Sequence, residues 1–342
     1  MKHLRSWYMD KQPILSICIP TYNQPLDFQR TLKSILPQIS RENTEVEILV
    51  GDNSINSETE EIIHQYSDFP YLRYYRHGKN LGIDKNILFL IEKSHGKYIW
   101  LFGDDEMRTG TIEYVLSIIK KYPELSLIWV NLQGFDQEQP HCSFGGDRFF
   151  ENGSQVLEEI GIGLNFLPTL ILKREKLLNI DKENMKKFIG SDLINLYLPL
   201  FILSQEGKFY CINHPYVIAH GTPLDKISYD YFQMVGVSLY LVIKNFQKEF
   251  NKKSIKKISR EIFGCVWRAI LVGWLKGYDT PKGKLRPMFK FYWNFPEFWL
   301  AAPFFLMPKF VTKFAYFVYK KILMCPSYST VRQKYRKSII QK

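Results

Sequence analysis

Three apolar runs in the first third of the chain each end in a short polar sequence. The first ends in PTYN at residues 20–23, the second in GDNS at residues 51–54, and a later one in GDDE at residues 103–106. Three adjacent acids after a buried strand are costly unless a positive group lies beside them. Mg²⁺ or Mn²⁺ is the natural partner, because these ions bind carboxylate oxygens and bridge to substrate phosphates. The residues therefore indicate a nucleotide-diphosphate site, or else acids that cap the next helix.

Strand-like and helix-like segments alternate along the part of the chain that must position these polar sequences. Apolar runs predict strands at residues 14–19, 46–50, 72–75, 98–102 and 127–130. Apolar residues at helical spacing predict helices at residues 26–36, 58–66, 84–93 and 111–121. Such alternation predicts an α/β fold with a mostly parallel sheet flanked by helices. Ligands of such sheets bind outside the carboxyl ends of the strands, so we expect the polar sequences at one shared edge.

The alternation breaks after about residue 136. A stretch rich in Gly and Pro, residues 145–168, precedes a predicted strand at residues 169–173. A helix at residues 192–205 and a strand at residues 208–212 come next, and from residue 227 the chain is predicted to be helical. The C-terminal part is therefore expected to differ from the α/β part in its architecture.

The composition is that of a folded protein. The chain has 342 residues, of which 46% are hydrophobic and 15% aromatic, and this excludes a disordered protein. Its five cysteines form no CxxC pair and no metal-ligand spacing, so they indicate buried thiols in a reducing compartment. No secretory signal and no uninterrupted apolar run of about 18 residues is visible. We therefore expect a cytoplasmic protein without a transmembrane helix.

Positive charge is concentrated at the C-terminal end. The whole chain carries a net charge of +12, and from residue 251 onward 20 basic residues stand against three acidic ones. The same region holds Trp267, Trp274, Trp293 and Trp299. Basic residues between aromatic ones suit the headgroups of an anionic membrane. A helical subdomain with a solvated basic face is the plainer alternative, and nucleic acid is disfavoured because its binders expose aromatic side chains singly for stacking.

Four motifs, in order, resemble one enzyme family. ILSICIPTYN, VEILVGDNSINSETEEII, KNLGIDKN and GKYIWLFGDDE resemble the nucleotide-binding half of the inverting family-2 glycosyltransferases, and the last is similar to abequosyltransferase-type enzymes of lipopolysaccharide O-antigen synthesis. The resemblance covers about residues 13–220. It implies a Rossmann-like GT-A domain at residues 1–225, with a nucleotide-binding half to residue 135 and an acceptor half after it. Residues 226–342 would form the helical, basic, membrane-associating region.

The resemblance also implies which residues contact the base and ribose. Pro20, Thr21 and Tyr22 match the loop that packs on them in the family. Asp52 matches the acid that accepts a hydrogen bond from the base. Gly51 stands where the family usually has a further acid, so base recognition is expected to rest on Asp52 alone.

A basic residue with Asn directly after it faces the diphosphate in the family. Lys85 and Asn86 match this pair, with Arg76 and Lys79 as rivals for the same role. The complete predicted set of nucleotide-binding residues is Pro20, Thr21, Tyr22, Asn23, Asp52, Asn53, Lys85, Asn86 and Asp104.

The GDDE sequence matches the family's metal motif. Gly103 replaces the usual first Asp, and Asp105 matches the residue that contacts the metal directly. Glu106 is a second candidate ligand, and His220 is a third for a borderline metal such as Mn²⁺. The expected cofactor is therefore Mn²⁺ or Mg²⁺.

An inverting transfer needs one carboxylate that takes the proton from the acceptor hydroxyl. In the family this base lies in an acidic pair at the start of a helix, where Asp192 stands here and Ser191 replaces the usual Glu. The resemblance therefore implies that Asp192 is the catalytic base. The alternative is that Asp192 is only the N-cap of its helix, a position that Asp favours.

The residues directly after the first strand exclude other classes of nucleotide-binding enzyme. A nicotinamide-dependent oxidoreductase would need GxGxxG there, and PTYN stands in its place. Neither a P-loop nor the Gly-rich, Arg-containing loop expected of a nucleotidyltransferase is present. The non-enzyme alternative is a degenerate membrane-bound scaffold or nucleotide-binding protein of a polysaccharide assembly complex, which the departures at Gly51, Gly103 and Ser191 would suit.

The sequence thus predicts a bacterial enzyme on the cytoplasmic face of the inner membrane. It would move one sugar from a nucleotide-sugar donor to a polyprenol-linked glycan, because an enzyme whose acceptor is anchored gains by lying on the same surface. No nucleic acid is expected as a partner.

Overall fold

The computed structural model describes residues 12–42, 44–220, 232–276 and 285–300, together with residues 310, 311, 314 and 317. The side chains of residues 232, 233, 235, 267–276 and 285–288 are not described. The predicted membrane-associating region therefore lies partly outside the described residues. The side chains of Trp267 and Trp274 are among the parts that are not described.

The described residues form nine strands and eleven α-helices. The strands are β1 Leu15–Thr21, β2 Val46–Asp52, β3 Leu72–Arg76, β4 Tyr98–Leu101, β5 Glu106–Met107, β6 Leu125–Gly134, β7 Arg148–Phe150, β8 Leu170–Lys173 and β9 Lys208–Ala219. The helices are α1 Pro25–Ile35, α2 Glu58–His64, α3 Ile83–Lys93, α4 Thr111–Lys121, α5 Gly153–Ile160, α6 Arg174–Leu178, α7 Lys182–Lys186, α8 Ile194–Leu203, α9 Leu239–Asn245, α10 Lys252–Lys276 and α11 Leu285–Tyr292.

All nine strands join one sheet, in the order β3-β2-β1-β4-β8-β6-β9-β5, with β7 paired to β9. The N-terminal half is parallel, since β1 pairs with β2 and β4, and β2 pairs with β3, in the same direction. The later strand β8 enters between β4 and β6 and runs antiparallel to both. The α/β prediction is confirmed, with a sheet that becomes mixed where the alternation of the sequence ends.

Helices cover both faces of the sheet. Neighbouring residues of a strand point to opposite faces, and accordingly Ile48 belongs to one hydrophobic cluster and Leu49 to the other. Helix α1 covers the first face with Phe28, Leu32 and Ile35, and it begins at a proline whose missing N–H costs nothing in the first turn. Helices α3, α5 and α8 cover the second face.

The described C-terminal helices belong to the same core as the sheet. Helix α10 buries Ile258, Ile262, Phe263 and Val266 in the cluster that contains residues of α5 and α8. The carboxylate of Glu261 on this helix accepts a hydrogen bond of 3.0 Å from the N–H of Ile162. Within the described part of the chain, no helix combines the length and the apolar character that crossing a membrane requires.

Candidate active site

The polar sequences after β1, β2 and β4 meet at one edge of the sheet. In the register of β1 and β2, Thr21 lies opposite Asp52. The loops after these two strands are joined by hydrogen bonds from the Asn53 N–H to the Thr21 carbonyl, 3.0 Å, and from the Asn23 N–H to Ser54 Oγ, 2.9 Å. Strand β4 runs parallel to β1, so its carboxyl end lies at the same edge, as expected.

Asp52 is fully buried at this edge and is bonded within the chain. Its Oδ1 accepts from the N–H of Ser54 at 2.7 Å, and its Oδ2 accepts from the Tyr74 hydroxyl, also at 2.7 Å. Burial, together with this hydrogen bond, raises the pKa of Tyr74 above its ordinary value. Tyr74 gives no local signal on β3, so its bond to Asp52 is not predictable from the sequence. A contact between Asp52 and the base stays a prediction, and it must use acceptor capacity beyond these two bonds.

The loop after β1 presents a more open surface. Tyr22 is 42% exposed, and Asn23 has a left-handed backbone with φ of 50°. Thr21 is buried, and its hydroxyl has no hydrogen-bond partner among the described residues. The exposed ring of Tyr22 can pack on a base or ribose, whereas the Thr21 hydroxyl is covered by the protein.

Asn86 does not face an open cleft. It is fully buried; its Nδ2 donates to the Gly51 carbonyl at 2.7 Å, and its Oδ1 lies 3.1 Å from His77 Nε2. Its amide holds the end of β2, and a contact between Asn86 and the diphosphate stays a prediction. A Cβ at position 51 would overlap Asn86 Oδ1, which explains why Gly stands there. Lys85, the other member of the pair, is exposed.

Two other predicted nucleotide residues hold loops together as well. Asn53 is buried, with its Nδ2 donating to the Gly82 carbonyl and its Oδ1 accepting from the Leu81 N–H, both at 3.3 Å. The rival Arg76 pairs with Glu60 at 2.6 Å and also donates to two carbonyls of the loop after β2. Lys85 is therefore a better candidate than Arg76 for binding the diphosphate, because the Arg76 guanidinium is already bonded within the chain.

Helix α1 fixes the acidic loop at residues 103–106. Arg30 donates to the Asp104 carbonyl at 2.9 Å, and the Thr31 hydroxyl donates to the Asp105 carbonyl at 2.7 Å. The N–H of Met107 donates to the Ser34 hydroxyl at 3.0 Å. The alternative that these acids cap the next helix is wrong, because α4 begins only at Thr111.

Strand pairing brings His220 to this loop. Glu106 pairs with Ile218 on β9, so the N–H of His220 donates to Asp105 Oδ1 at 2.8 Å and its Nε2 lies 3.2 Å from Glu106 Oε2. Burial raises the pKa of the Asp105 carboxyl to about 7, and the hydrogen bond from His220 opposes the rise. Burial raises the pKa of Asp104 as well. The three predicted metal residues are therefore neighbours.

The described part of the chain contains no ready-made set of metal ligands. Among the described residues, no three carboxylate, imidazole or thiol side chains are arranged to hold a metal ion. The chemistry of the set still suits a divalent cation: Asp105 is a buried carboxylate, and Glu106 and His220 add an oxygen and a nitrogen donor. The metal residues stay a prediction that fits the donor types present.

Asp192 lies in the turn before α8 and is half-buried, with a left-handed φ of 60°. Helix α8 begins at Ile194 with Leu193 before it, so Asp192 is not the N-cap and the predicted helix start is two residues early. The capping group is Asp84, whose Oδ1 accepts from the Ile194 N–H at 3.0 Å. This role of Asp84 is not predictable from the sequence, because an acid in the first turn of α3 already stabilises that helix.

A cleft of about 410 Å³ lies between the start of α3 and this turn, and Asp192 lines it. Its lining residues are Leu81, Gly82, Asp84, Lys85, Lys186, Ile189, Gly190 and Asp192. Burial raises the pKa of the Asp192 carboxyl, and the negative charge of Asp84 adds to the rise. A carboxylate of raised pKa facing the same cleft as an exposed lysine can accept a proton beside a bound phosphate.

The sequence of this edge matches a known family. Residues 16–161 match Glycosyl transferase family 2. These residues make up less than half of the chain, and they are similar to the glycosyltransferases of that family. The matched residues include all three polar sequences and Lys85, whereas Asp192 and His220 lie beyond them.

Known proteins agree with this assignment. The chain is 28% identical over 226 residues to "Abequosyltransferase RfbV" of Salmonella typhimurium (strain LT2), covering 61% of this chain and 67% of that relative. The structure is similar to S. aureus TarS, with a TM-score of 0.54 at 17% identity over 71% of this chain and 68% of that one. A complex of TarS with UDP-GlcNAc gives a TM-score of 0.59 at 14% identity, covering 81% and 78%. The protein is a glycosyltransferase, and its α/β GT-A fold is confirmed.

Proposed function

We propose that this glycosyltransferase moves a single sugar from a nucleotide-diphosphate donor to a hydroxyl of a lipid-linked or growing surface glycan, with inversion at the transferred carbon. The observation that carries the proposal is the placement of Asp192 and Lys85 on one cleft. Similarity to an abequosyltransferase favours an O-antigen, capsule or related glycan as the product. The solved complexes of TarS with UDP and UDP-GlcNAc support a nucleotide-sugar as the donor.

Asp192 and Lys85 would have different roles in the transfer. Asp192 takes the proton from the acceptor hydroxyl while that oxygen forms a bond to the anomeric carbon of the donor sugar. The bond from this carbon to the diphosphate breaks, and the nucleoside diphosphate leaves with the bonding electron pair. Attack from the face opposite the leaving group inverts the carbon. Lys85 compensates the charge that grows on the diphosphate.

We propose Mn²⁺ or Mg²⁺ as the cofactor, held by Asp105 first, with Glu106 and His220 as further ligands. When bound, the cation would act as a Lewis acid that stabilises the charge of the departing diphosphate. Asp104, which Arg30 fixes through its carbonyl, stays a candidate contact to the nucleotide.

A ligand screen tests donor binding. Each nucleoside diphosphate and a set of nucleotide-sugars, with and without Mn²⁺, would be added to the purified protein, and the melting temperature measured. We expect a rise for one base, because a ligand at 100 times its Kd contributes about 2.7 kcal/mol to folding stability. Hydrolysis or transfer by the same protein then separates an enzyme from a nucleotide-binding scaffold. No shift with any nucleotide would overturn the proposal.

We also propose that the enzyme lies on an anionic membrane through an aromatic patch formed by Phe289, Trp293, Trp299 and Leu300. These side chains are exposed, Trp293 by 60% and Leu300 by 76%. The rings form one surface, since Phe289 and Trp299 pack edge to face at 5.9 Å and Trp299 Nε1 donates to the Trp293 carbonyl. Lys290, next to Phe289 in the chain, is exposed as well. A cation beside exposed aromatic rings suits anionic headgroups, and such a surface would bring the enzyme to a lipid-linked acceptor.

The double variant Trp293→Ser, Trp299→Ser tests this surface. We expect at least about tenfold weaker binding to anionic liposomes, because burial of apolar surface contributes about 25 cal/mol per Å². Leu178→Ser, which removes an exposed apolar side chain from α6, is the matched control. Unchanged binding of the double variant would contradict the proposal. Deletion from residue 251 is unsuitable, since it removes the core residues of α10.

A further inference from the structure

A buried carboxylate accepts hydrogen bonds from the backbone of the turn that contains Asp192. Asp84 is 1% exposed at the start of α3, and it accepts three hydrogen bonds from a segment more than 100 residues later in the chain. Its Oδ2 accepts from the N–H groups of Gly190 at 2.7 Å and Asp192 at 3.0 Å, and its Oδ1 accepts from that of Ile194. The nucleotide-binding half is therefore tied directly to the backbone of the acceptor half.

The turn needs such a partner to keep its shape. Gly190 and Asp192 both have left-handed backbones, with φ of 92° and 60°. This region is less favourable for a residue with a side chain than for glycine, so hydrogen bonds around Asp192 help to hold it there. The bonds to Asp84 satisfy the N–H of Asp192 and those of Gly190 and Ile194 on either side of it.

We infer that Asp84 is a positioning residue, which holds the Asp192 carboxylate where it can take the proton of the acceptor; the inference rests on the proposed function. Asp84 does not need to touch the acceptor for this role. It acts through the backbone of the turn, and the resulting placement determines how well Asp192 is aligned with the hydroxyl.

The charges around the cleft predict a second measurable effect of Asp84, on the pH dependence of kcat. The charged side chains that line it beside Asp192 are Asp84, Lys85 and Lys186. The negative charge of Asp84 raises the pKa of Asp192, after the larger effect of burial. A base works only when deprotonated, so its rate falls as the pH drops through its pKa. Removing the charge of Asp84 should therefore move the acid limb of the kcat profile to lower pH.

Asp84→Asn is the principal test. The substitution replaces one oxygen by an amino group, so at least one backbone N–H of the turn loses its acceptor. We expect kcat to fall about 10- to 100-fold, because small misplacements of a catalytic group have effects of this size. Donor Kd, measured by calorimetry, should change less than about threefold, and kcat would be expressed per donor-binding molecule.

Two further variants make the result decisive. Asp181→Asn removes a matched capping carboxylate, which accepts from Glu183 and Asn184 at the start of α7, and it should leave kcat and the pH profile unchanged. Gly190→Ala adds a methyl group where nothing lies within 4 Å, but at a left-handed backbone, so it strains the same turn without touching Asp84. It should lower kcat without weakening donor binding, and it serves if Asp84→Asn does not fold.

The outcomes separate this inference from the proposed function. Asp84→Asn with reduced thermal stability but an unchanged kcat and acid limb would show that Asp84 only caps α8, and it would overturn the inference. Normal kcat in Gly190→Ala would overturn it as well. An active Asp192→Asn enzyme would instead refute the base assignment itself, whatever the Asp84 variant does.

Discussion

Asp192→Asn is expected to lower kcat for sugar transfer by about 1000-fold, since a positioned general base contributes roughly 10²–10⁴-fold. Asparagine has nearly the shape of aspartate, and the backbone N–H that Asp84 accepts is unaffected. The turn should therefore keep its conformation, and the Kd for the nucleoside diphosphate should stay within about threefold of the wild-type value. Transfer of a labelled sugar and calorimetry of nucleotide binding measure the two quantities.

The pH dependence of the wild-type enzyme gives an independent check. Burial and the charge of Asp84 raise the pKa of Asp192, so the acid limb of kcat is expected at a higher pH than an ordinary aspartate would give. Glu113→Gln, which neutralises an exposed carboxylate on α4 that does not line the cleft, is the control and should leave the rate unchanged. Full activity of Asp192→Asn would remove the base assignment while leaving the nucleotide site in place.

Asp105→Asn is expected to abolish the stabilisation that Mn²⁺ gives to the protein and to lower transfer by about 100- to 1000-fold, because the cation supplies several kcal/mol to the transition state. The variant should fold, since Asn retains an oxygen that can accept the His220 N–H now bound by Oδ1. The melting temperature with and without Mn²⁺ and donor nucleotide gives a readout that does not depend on turnover.

Asp27→Asn provides the comparison for Asp105. It removes an acid of α1 that pairs with Arg30 at 2.7 Å near the same loop, and we expect it to keep the Mn²⁺-dependent rise. If Asp105→Asn keeps that rise too, the predicted metal residues are wrong, even if the enzyme itself requires a cation.

Local patterns were sufficient for the elements that build the nucleotide edge. Strands β1, β2 and β4 are mostly apolar runs, and α1 and α4 have apolar residues at helical spacing, so each is visible in a short window. Strand β5 has only two residues and exists because it pairs with β9, about 110 residues away. No local pattern predicts such a strand.

The sequence indicated which residue types form the candidate site, but not which residues they form hydrogen bonds with. The resemblance pointed to Asp52 and Asn86, yet both prove to be buried and bonded within the chain. Tyr74, which bonds to Asp52, and Asp84, which bonds to the turn of Asp192, become visible only when distant segments are brought together. Such pairs depend on tertiary structure, and composition and periodicity carry no information about them.

The close contact between Gly51 and Asn86 has a consequence for the history of this site. An acid introduced at position 51 alone would collide with the Asn86 amide, which also holds the β2 carbonyl. The family usually has acids at the positions of both Gly51 and Asp52. Replacing Gly51 by an acid is therefore harmful unless position 86 has already changed to a smaller or differently placed side chain. The two positions should show strong epistasis, and homologous genes are expected to exchange them as a pair.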